Sequence, residues 1–237
     1  MIEEVLSEIR SALKQSVDAH TKQTAQNFFK EQVLFYGVKV ATVKKIAVKY
    51  YPKNTNLTKE DMFSICEELL KSDYSEEAFI AAEWSYRLRK KYEVRDFHIF
   101  EDWLHKYINT WAKCDTLCNH TIGAFIEQYP QYIQNLKQWA RSENRWVRRG
   151  AAVTLVLPAR HGKFLEDVFE IADILMQDED DLVRKGYGWM LKEASRIHQQ
   201  EVFDYVERNK AIMPRTALRY AIEKMPKDLR QQAMKKA

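Results

Sequence analysis

At 237 residues the chain is long enough to bury one sizeable core or two small ones. Only six Gly and five Pro occur, too few for an all-β chain that turns every ~8–12 residues, and no stretch approaches the ~18 apolar residues of a membrane span. The net charge is only +4, but the base is gathered late. Between positions 141 and 160, Arg141, Arg145, Arg148, Arg149 and Arg160 stand against Glu143 alone. From Arg208 onward, Lys210, Arg215, Arg219, Lys224, Lys227, Arg230, Lys235 and Lys236 stand against Glu223 and Asp228. Such asymmetry suits a polyanionic partner, or simply a solvated helix face with a basic tail.

Helical periodicity dominates from the first residues. "IEEVLSEIRSALKQ" places Ile2, Val5, Leu6, Ile9 and Leu13 on one stripe. The same stretch is acidic and amphipathic without an apolar signal core, so no targeting segment is expected. "KVATVKKIAVKYY" repeats the spacing with Val40, Val43, Ile46, Ala47 and Tyr50. "TKEDMFSICEELLKS" opens on Thr58 with Asp61 three residues on, a helix-start signal. Breaks are expected at Gly37, "YPKNTN", "SDYS", "YPQ" and "PARHGK", and no segment alternates like a strand.

The second half repeats itself. "NRWVRRGAAVTLV" (144–156) and "DDLVRKGYGWMLK" (180–192) align without gaps at an offset of 36. Arg148 then matches Arg184, Arg149 matches Lys185 and Gly150 matches Gly186. Stepping back 35 from Trp146 reaches Trp111, with Ala112 and Lys113 in phase; a further step reaches "EEAFIAAEW", with Ala81 in the small-residue position. Each segment follows a helical stretch and a short turn. A period near 35–40 built from amphipathic helix pairs predicts an all-α fold. The expected form is a curved α-solenoid of HEAT/armadillo-like repeats spanning 1–237 as one domain. Gly150 and Gly186 would admit neighbouring helices, and the in-phase cations would form a basic stripe on the concave face.

Residues 109–120, "NTWAKCDTLCNH", hold the most chemistry. Cys114, Cys118 and His120 do not make a zinc site: the Cys spacing is wrong and no second His/Cys cluster completes four ligands. Three Cys cannot all pair, so free thiols in a reducing cytoplasm are expected. Trp111 and Asp115 lie one helical turn apart and share a face. On the residues alone, Asp115 reads as a catalytic or an ordinary exposed carboxylate, and Trp111 and Trp189 as site or core. Trp84, Trp103, Trp139 and Trp146 read as core or repeat-interface residues.

Together, "FFKEQVLFYGV", "NTWAKCDTL", "SENRWVRRGAAV" and "VRKGYGWMLKEASR" resemble the AlkD family of DNA alkylation repair proteins, over nearly the whole chain. The resemblance implies a DNA glycosylase that hydrolyses the N-glycosidic bond of N3- and N7-alkylated purines in duplex DNA. It also implies hydrolysis that uses neither metal nor cofactor, and nothing in the sequence demands more than a monomer. The family's W-x-x-x-D pair falls on Trp111 and Asp115, its cleft arginine on Arg149 and its second tryptophan on Trp189. Arg148, Lys185 and Lys192 join the implied DNA-binding set. Three positions depart from the pattern: the cleft tyrosine is Phe28, an arginine after Trp189 is Lys192, and the tryptophan before Trp111 is Thr110. These departures leave a second reading, a non-catalytic protein that binds damaged or branched DNA.

Overall fold

The computed structural model describes residues 2–52 and 56–235. Positions 53–55, inside the expected "YPKNTN" break, and Lys236 of the basic tail lie outside the described residues. Helix makes up 73% of the structure, without strands among the described residues, as the scarcity of Gly and Pro predicts. The chain divides into two compact units, Met1–Leu117 and Cys118–Ala237.

In the first unit α1 (Ile2–Gln15), α2 (Ala19–Thr24), α3 (Val40–Lys49), α4 (Lys59–Lys71), α5 (Ser75–Arg87), α6 (Asp96–Tyr107) and α7 (Trp111–Thr116) follow one another. The stripe on α1 buries Leu6, Ile9 and Leu13. On α3 it buries Val43, Ile46 and Ala47, while Val40 stays 56% exposed. Thr58 and Asp61 form the expected reciprocal cap of α4. The centre is α5, which packs against α3, α4 and α7. Ala78, Ala81 and Ala82 are buried there and let its neighbours come close. Trp84 is fully buried, and its indole N–H donates to the Ala47 carbonyl at 2.8 Å, as a buried indole requires.

The segment between α2 and α3 is largely irregular, yet its backbone is tied down. The Gln26 amide donates to the Glu31 carbonyl and accepts from the Val33 N–H; the Ser75 N–H donates to the Leu34 carbonyl. The buried Glu76 carboxylate accepts from the N–H groups of Tyr36, Gly37 and Val38 at 3.1, 2.9 and 3.0 Å. Gly37 has φ 92°, and a Cβ there would stand 2.4 Å from Lys22 Cβ. The break foreseen at Gly37 is thus a position that only glycine fills.

In the second unit the helices are α8 (Gly123–Gln128), α9 (Ile133–Trp139), α10 (Arg145–Thr154), α11 (Val156–Arg160), α12 (Leu165–Leu175), α13 (Asp181–Ala194), α14 (Gln199–Asn209), α15 (Arg215–Ala221) and α16 (Lys227–Met234). The helix α13 packs against α10, α11, α12 and α15. Close approach depends on Gly188, where a Cβ would meet the Ala217 carbonyl oxygen at 2.8 Å; at Gly186 a Cβ would make ordinary contacts with Arg149 and Val153. The expected break at "PARHGK" begins later than its proline. Pro158 sits in the first turn of α11, where its missing N–H is not needed. Trp103, Trp139 and Trp146 are buried with Trp84, as read from sequence.

Candidate functional site

Trp111 begins α7, and Asp115 follows one turn later on the same face. Thr110 caps this helix by accepting the Lys113 N–H at 3.3 Å. The residue that replaces an expected tryptophan therefore does a job tryptophan cannot. The Trp111 ring stacks on Phe29, with centroids 5.4 Å apart and planes 21° from parallel. Its indole N–H donates to the Phe28 carbonyl at 3.3 Å. Phe28 contributes that carbonyl and a ring that is 72% exposed; the stacking partner of Trp111 is its neighbour Phe29. Asp115 is half-buried.

The opposite side of α7 is anchored by charge. Lys113 is buried, and its ammonium donates to the Asp73 carboxylate at 2.5 Å, the Asp73 carbonyl at 2.8 Å and the Asn109 side-chain oxygen at 3.0 Å. Its pairing and three hydrogen bonds compensate its desolvation. Beyond α7 the chain widens into a π-helical segment, Leu117–Ile122. Such segments concentrate at functional sites, and nothing in the sequence pattern announced this one. Cys114 and Cys118 are fully buried, and His120 is exposed.

The remaining candidate residues lie in the second unit, where the 36-residue repeat reappears as bonding. The turn before α10 has the Ser142 hydroxyl accepting the Asn144 N–H, and the Asn144 side chain accepting the Trp146 N–H. The turn before α13 repeats this with Asp178 accepting from Asp180 and Asp180 accepting from Leu182. Arg148 reaches back six residues to the Ser142 carbonyl, and Arg184 reaches back six to the Asp178 carbonyl. Arg148 also pairs with the Asp178 carboxylate, at 2.5 Å from its Nε, and donates to the Glu143 carbonyl. Its guanidinium thus locks one turn to the next. Arg149 is only 5% exposed and donates to the Leu182 carbonyl.

On α13, Lys185, Trp189 and Lys192 share one face at spacings of four and three. Trp189 is half-exposed. Lys185 pairs with Asp181 at 2.8 Å, and that bond raises its pKa above the usual lysine value. Lys192 pairs with Glu223 at 3.2 Å and lies over the Tyr220 ring. Burial raises the Glu223 pKa, but the bond to Lys192 and the nearby lysine charges outweigh it, for a net lowering. Both acids are roughly half exposed. Such pairs are worth about 0–1 kcal/mol and can exchange one anion for another. Near the end of the chain, Arg219, Lys227 and Arg230 line an open cleft of about 410 Å³.

The candidate residues therefore form two groups. The first unit holds Phe28, Trp111 and Asp115; the second holds Arg148, Arg149, Lys185, Trp189 and Lys192. Sequence reading missed Phe29, the Lys113–Asp73 anchor and the Glu76 acceptor. The only sequence signal for Phe29 was the doubled "FF". Among the described residues no helix is long and apolar enough to cross a membrane.

Comparison with known proteins adds a family and a fold. The family model "DNA alkylation repair enzyme" matches residues 9–225. No curated protein matches the chain. Among solved structures, a predicted DNA alkylation repair enzyme from Enterococcus faecalis superposes with a TM-score of 0.79 at 14% identity, over 90% of this chain and 98% of that one. The Pseudomonas fluorescens alkylpurine DNA glycosylase AlkC, bound to DNA containing an abasic site analog, superposes with a TM-score of 0.52 at 15% identity. That match covers 98% of this chain and 65% of AlkC.

Proposed function

Because the chain belongs to the DNA alkylation repair enzyme family, we propose that it is a DNA glycosylase that hydrolyses the N-glycosidic bond of N3- or N7-alkylated purines in duplex DNA, following the AlkD pattern. The observation that carries this reading is the pairing on α7. A half-buried carboxylate, Asp115, shares a face with a tryptophan held by a stacked ring and a hydrogen bond. The likeness to AlkC, an alkylpurine DNA glycosylase solved on DNA, supports the same reaction class.

An alkylated purine of this kind already carries positive charge and leaves without a general acid. The chemical demand is then on the deoxyribose, which gains oxocarbenium character as the bond to the base breaks. An ionised Asp115 beside the anomeric carbon opposes that charge. At 4 Å and an effective dielectric near 20 the attraction is about 4 kcal/mol, or roughly 10³-fold in rate. Asp115 can also orient the attacking water. In the first unit the Trp111 ring offers a flat face that tolerates a cationic base or a sugar, and in the second the Trp189 ring offers another such face.

In this reading the phosphate contacts fall to Lys185 and Lys192, whose present partners are exposed acids. Arg148 and Arg149, already engaged by Asp178 and by backbone carbonyls, hold α10 against the turn and helix that follow. Neither metal nor cofactor takes part. The protein works on DNA in the cytoplasm, as a monomer.

The decisive test is release of 7-methylguanine or 3-methyladenine from methylated duplex DNA, run beside Asp115→Asn. Release by the native protein and a ~10³-fold fall in the variant, with DNA affinity kept, are expected. Tight, salt-sensitive binding with no base release would replace the enzyme with a non-catalytic binder of damaged DNA.

A further inference from the structure

Lys192, one of the two lysines proposed to meet phosphate, is only 13% exposed. Its ammonium lies 5.5 Å from the centre of the Tyr220 ring and 3.2 Å from the Glu223 carboxylate. Packing fixes these neighbours, because Gly188 admits α15 so closely that a Cβ there would stand 2.7 Å from Tyr220 Cβ. With so little of Lys192 open, an incoming anion meets it most directly where Glu223 now stands. Glu223 itself is 47% exposed, and a pair of this kind exchanges readily.

Glu223 also lines the 410 Å³ cleft, beside Arg219 of α15 and Lys227 and Arg230 of α16. It is the only acid in that wall among the described residues. The three cations are exposed, and none has an ion pair among the described residues. Elsewhere in the second unit, Lys137, Arg145, Arg148, Lys163 and Lys210 each have a carboxylate within 3.2 Å. Like charges gathered in one place repel one another and draw an anion. A single small anion would leave part of this charge unmet, whereas a phosphodiester backbone brings one charge per nucleotide. We infer that Lys192 and the cleft form one contact surface for the backbone of bound duplex DNA, and that Glu223 is a resident counter-ion standing where a backbone phosphate comes to lie. Binding exchanges the carboxylate for the phosphate, and the released carboxylate turns to Lys224, already 3.6 Å away. The exchange restrains affinity for any duplex, damaged or not. This inference rests on the reading of the protein as one that acts on duplex DNA.

The test follows a labelled, undamaged duplex binding to the intact protein by fluorescence anisotropy over a salt series. Base release from methylated duplex is measured separately. Glu223→Gln should tighten binding about four-fold, the upper range for an exposed ion pair. Asp228→Asn removes the same charge from α16 outside the cleft wall and should tighten it by about 1.5-fold or less, since salt screens a charge that no phosphate displaces. In a Lys192→Ala background, Glu223→Gln should bring no gain. Arg219→Ala and Lys227→Ala should each weaken binding and lower the slope of log affinity against log salt by about 0.9. Glu223, Asp228, Arg219 and Lys227 are all exposed, so their variants should fold. Equal tightening by Asp228→Asn, a gain that survives Lys192→Ala, or unchanged salt slopes overturn the inference, and base release that persists then leaves the glycosylase reading standing. The expected binding pattern without base release does the reverse. No duplex binding at all overturns both. Poly-glutamate that binds more tightly than duplex assigns the cleft to an acidic protein and overturns the inference.

Discussion

The two units solve the same problem with different means. The second is regular: two turns 36 residues apart use the same hydroxyl or carboxylate acceptors and the same arginine reaching back six residues. The first is bespoke. It holds an irregular segment in place with a buried glutamate, anchors α7 with a buried lysine, and leaves a chamber between its rings. Repetition stabilises by copying a local contact, so each copy matters moderately. A bespoke unit concentrates its order in a few residues, so each of those matters more.

That contrast can be broken at the strongest point first. Glu76→Ala leaves three backbone N–H groups without their acceptor and should destabilise by about 4 kcal/mol. Hydrogen exchange should show protection lost around residues 34–38 while α10 and α13 keep theirs; equal loss in both units would erase the distinction. Next comes Gly188→Ala in the second unit. A Cβ 2.8 Å from a backbone oxygen forces α13 from α15, and a denaturant midpoint should report about 3 kcal/mol. Gly186→Ala, with only ordinary contacts to meet, should be close to neutral.

The repeat itself is tested at Asp178. Asp178→Ala removes the Arg148 pair and the Asp180 N–H acceptor together, for about 2 kcal/mol. Asp178→Ser installs the residue that the preceding turn uses at the matching place, Ser142, and should recover about half of that loss. No difference between the two variants would mean that the turns only look equivalent.

A smaller effect treats the units alike. Burial raises the pKa of Tyr36 in the first unit, and of Tyr187 and Tyr205 in the second, well above the usual tyrosine value; bonds to Glu77 and Asp173 add to it for Tyr36 and Tyr205. The folded state then holds these protons after the unfolded chain has lost them. Their contribution is complete below about pH 10 and declines as pH rises further. Denaturation curves from about pH 9 to 11 should show falling stability, and ultraviolet titration should find these phenols ionising only with unfolding.

Much of the fold was legible because it depends on local periodicity. The stripes of α1 and α3, the Thr58–Asp61 cap and the 144–156/180–192 repeat all lie within short windows of sequence. Trp111 and Asp115 were legible as a pair for the same reason, since a helix places residues four apart on one face. The use of Arg148 was not legible. A guanidinium suited to a phosphate is equally suited to a carboxylate, and its partner Asp178 lies 30 residues on. The role of Glu76, an acid in the first turn of α5, is not legible either, because the donors it satisfies lie some 40 positions earlier, in a segment without a period. The chamber was invisible for that same reason.

The three cysteines acquire a meaning from their surroundings. Cys66, Cys114 and Cys118 are all fully buried, and burial drives the Cys66 thiol far above its usual pKa. Thiolates are among the softest nucleophiles a protein offers. Methylating agents that attack purine nitrogens attack thiolates as well. A repair protein with exposed thiols would be poisoned by the conditions that create its work. This fold keeps every one of its sulfhydryls out of reach, so its own thiols are shielded from the electrophiles that alkylate DNA.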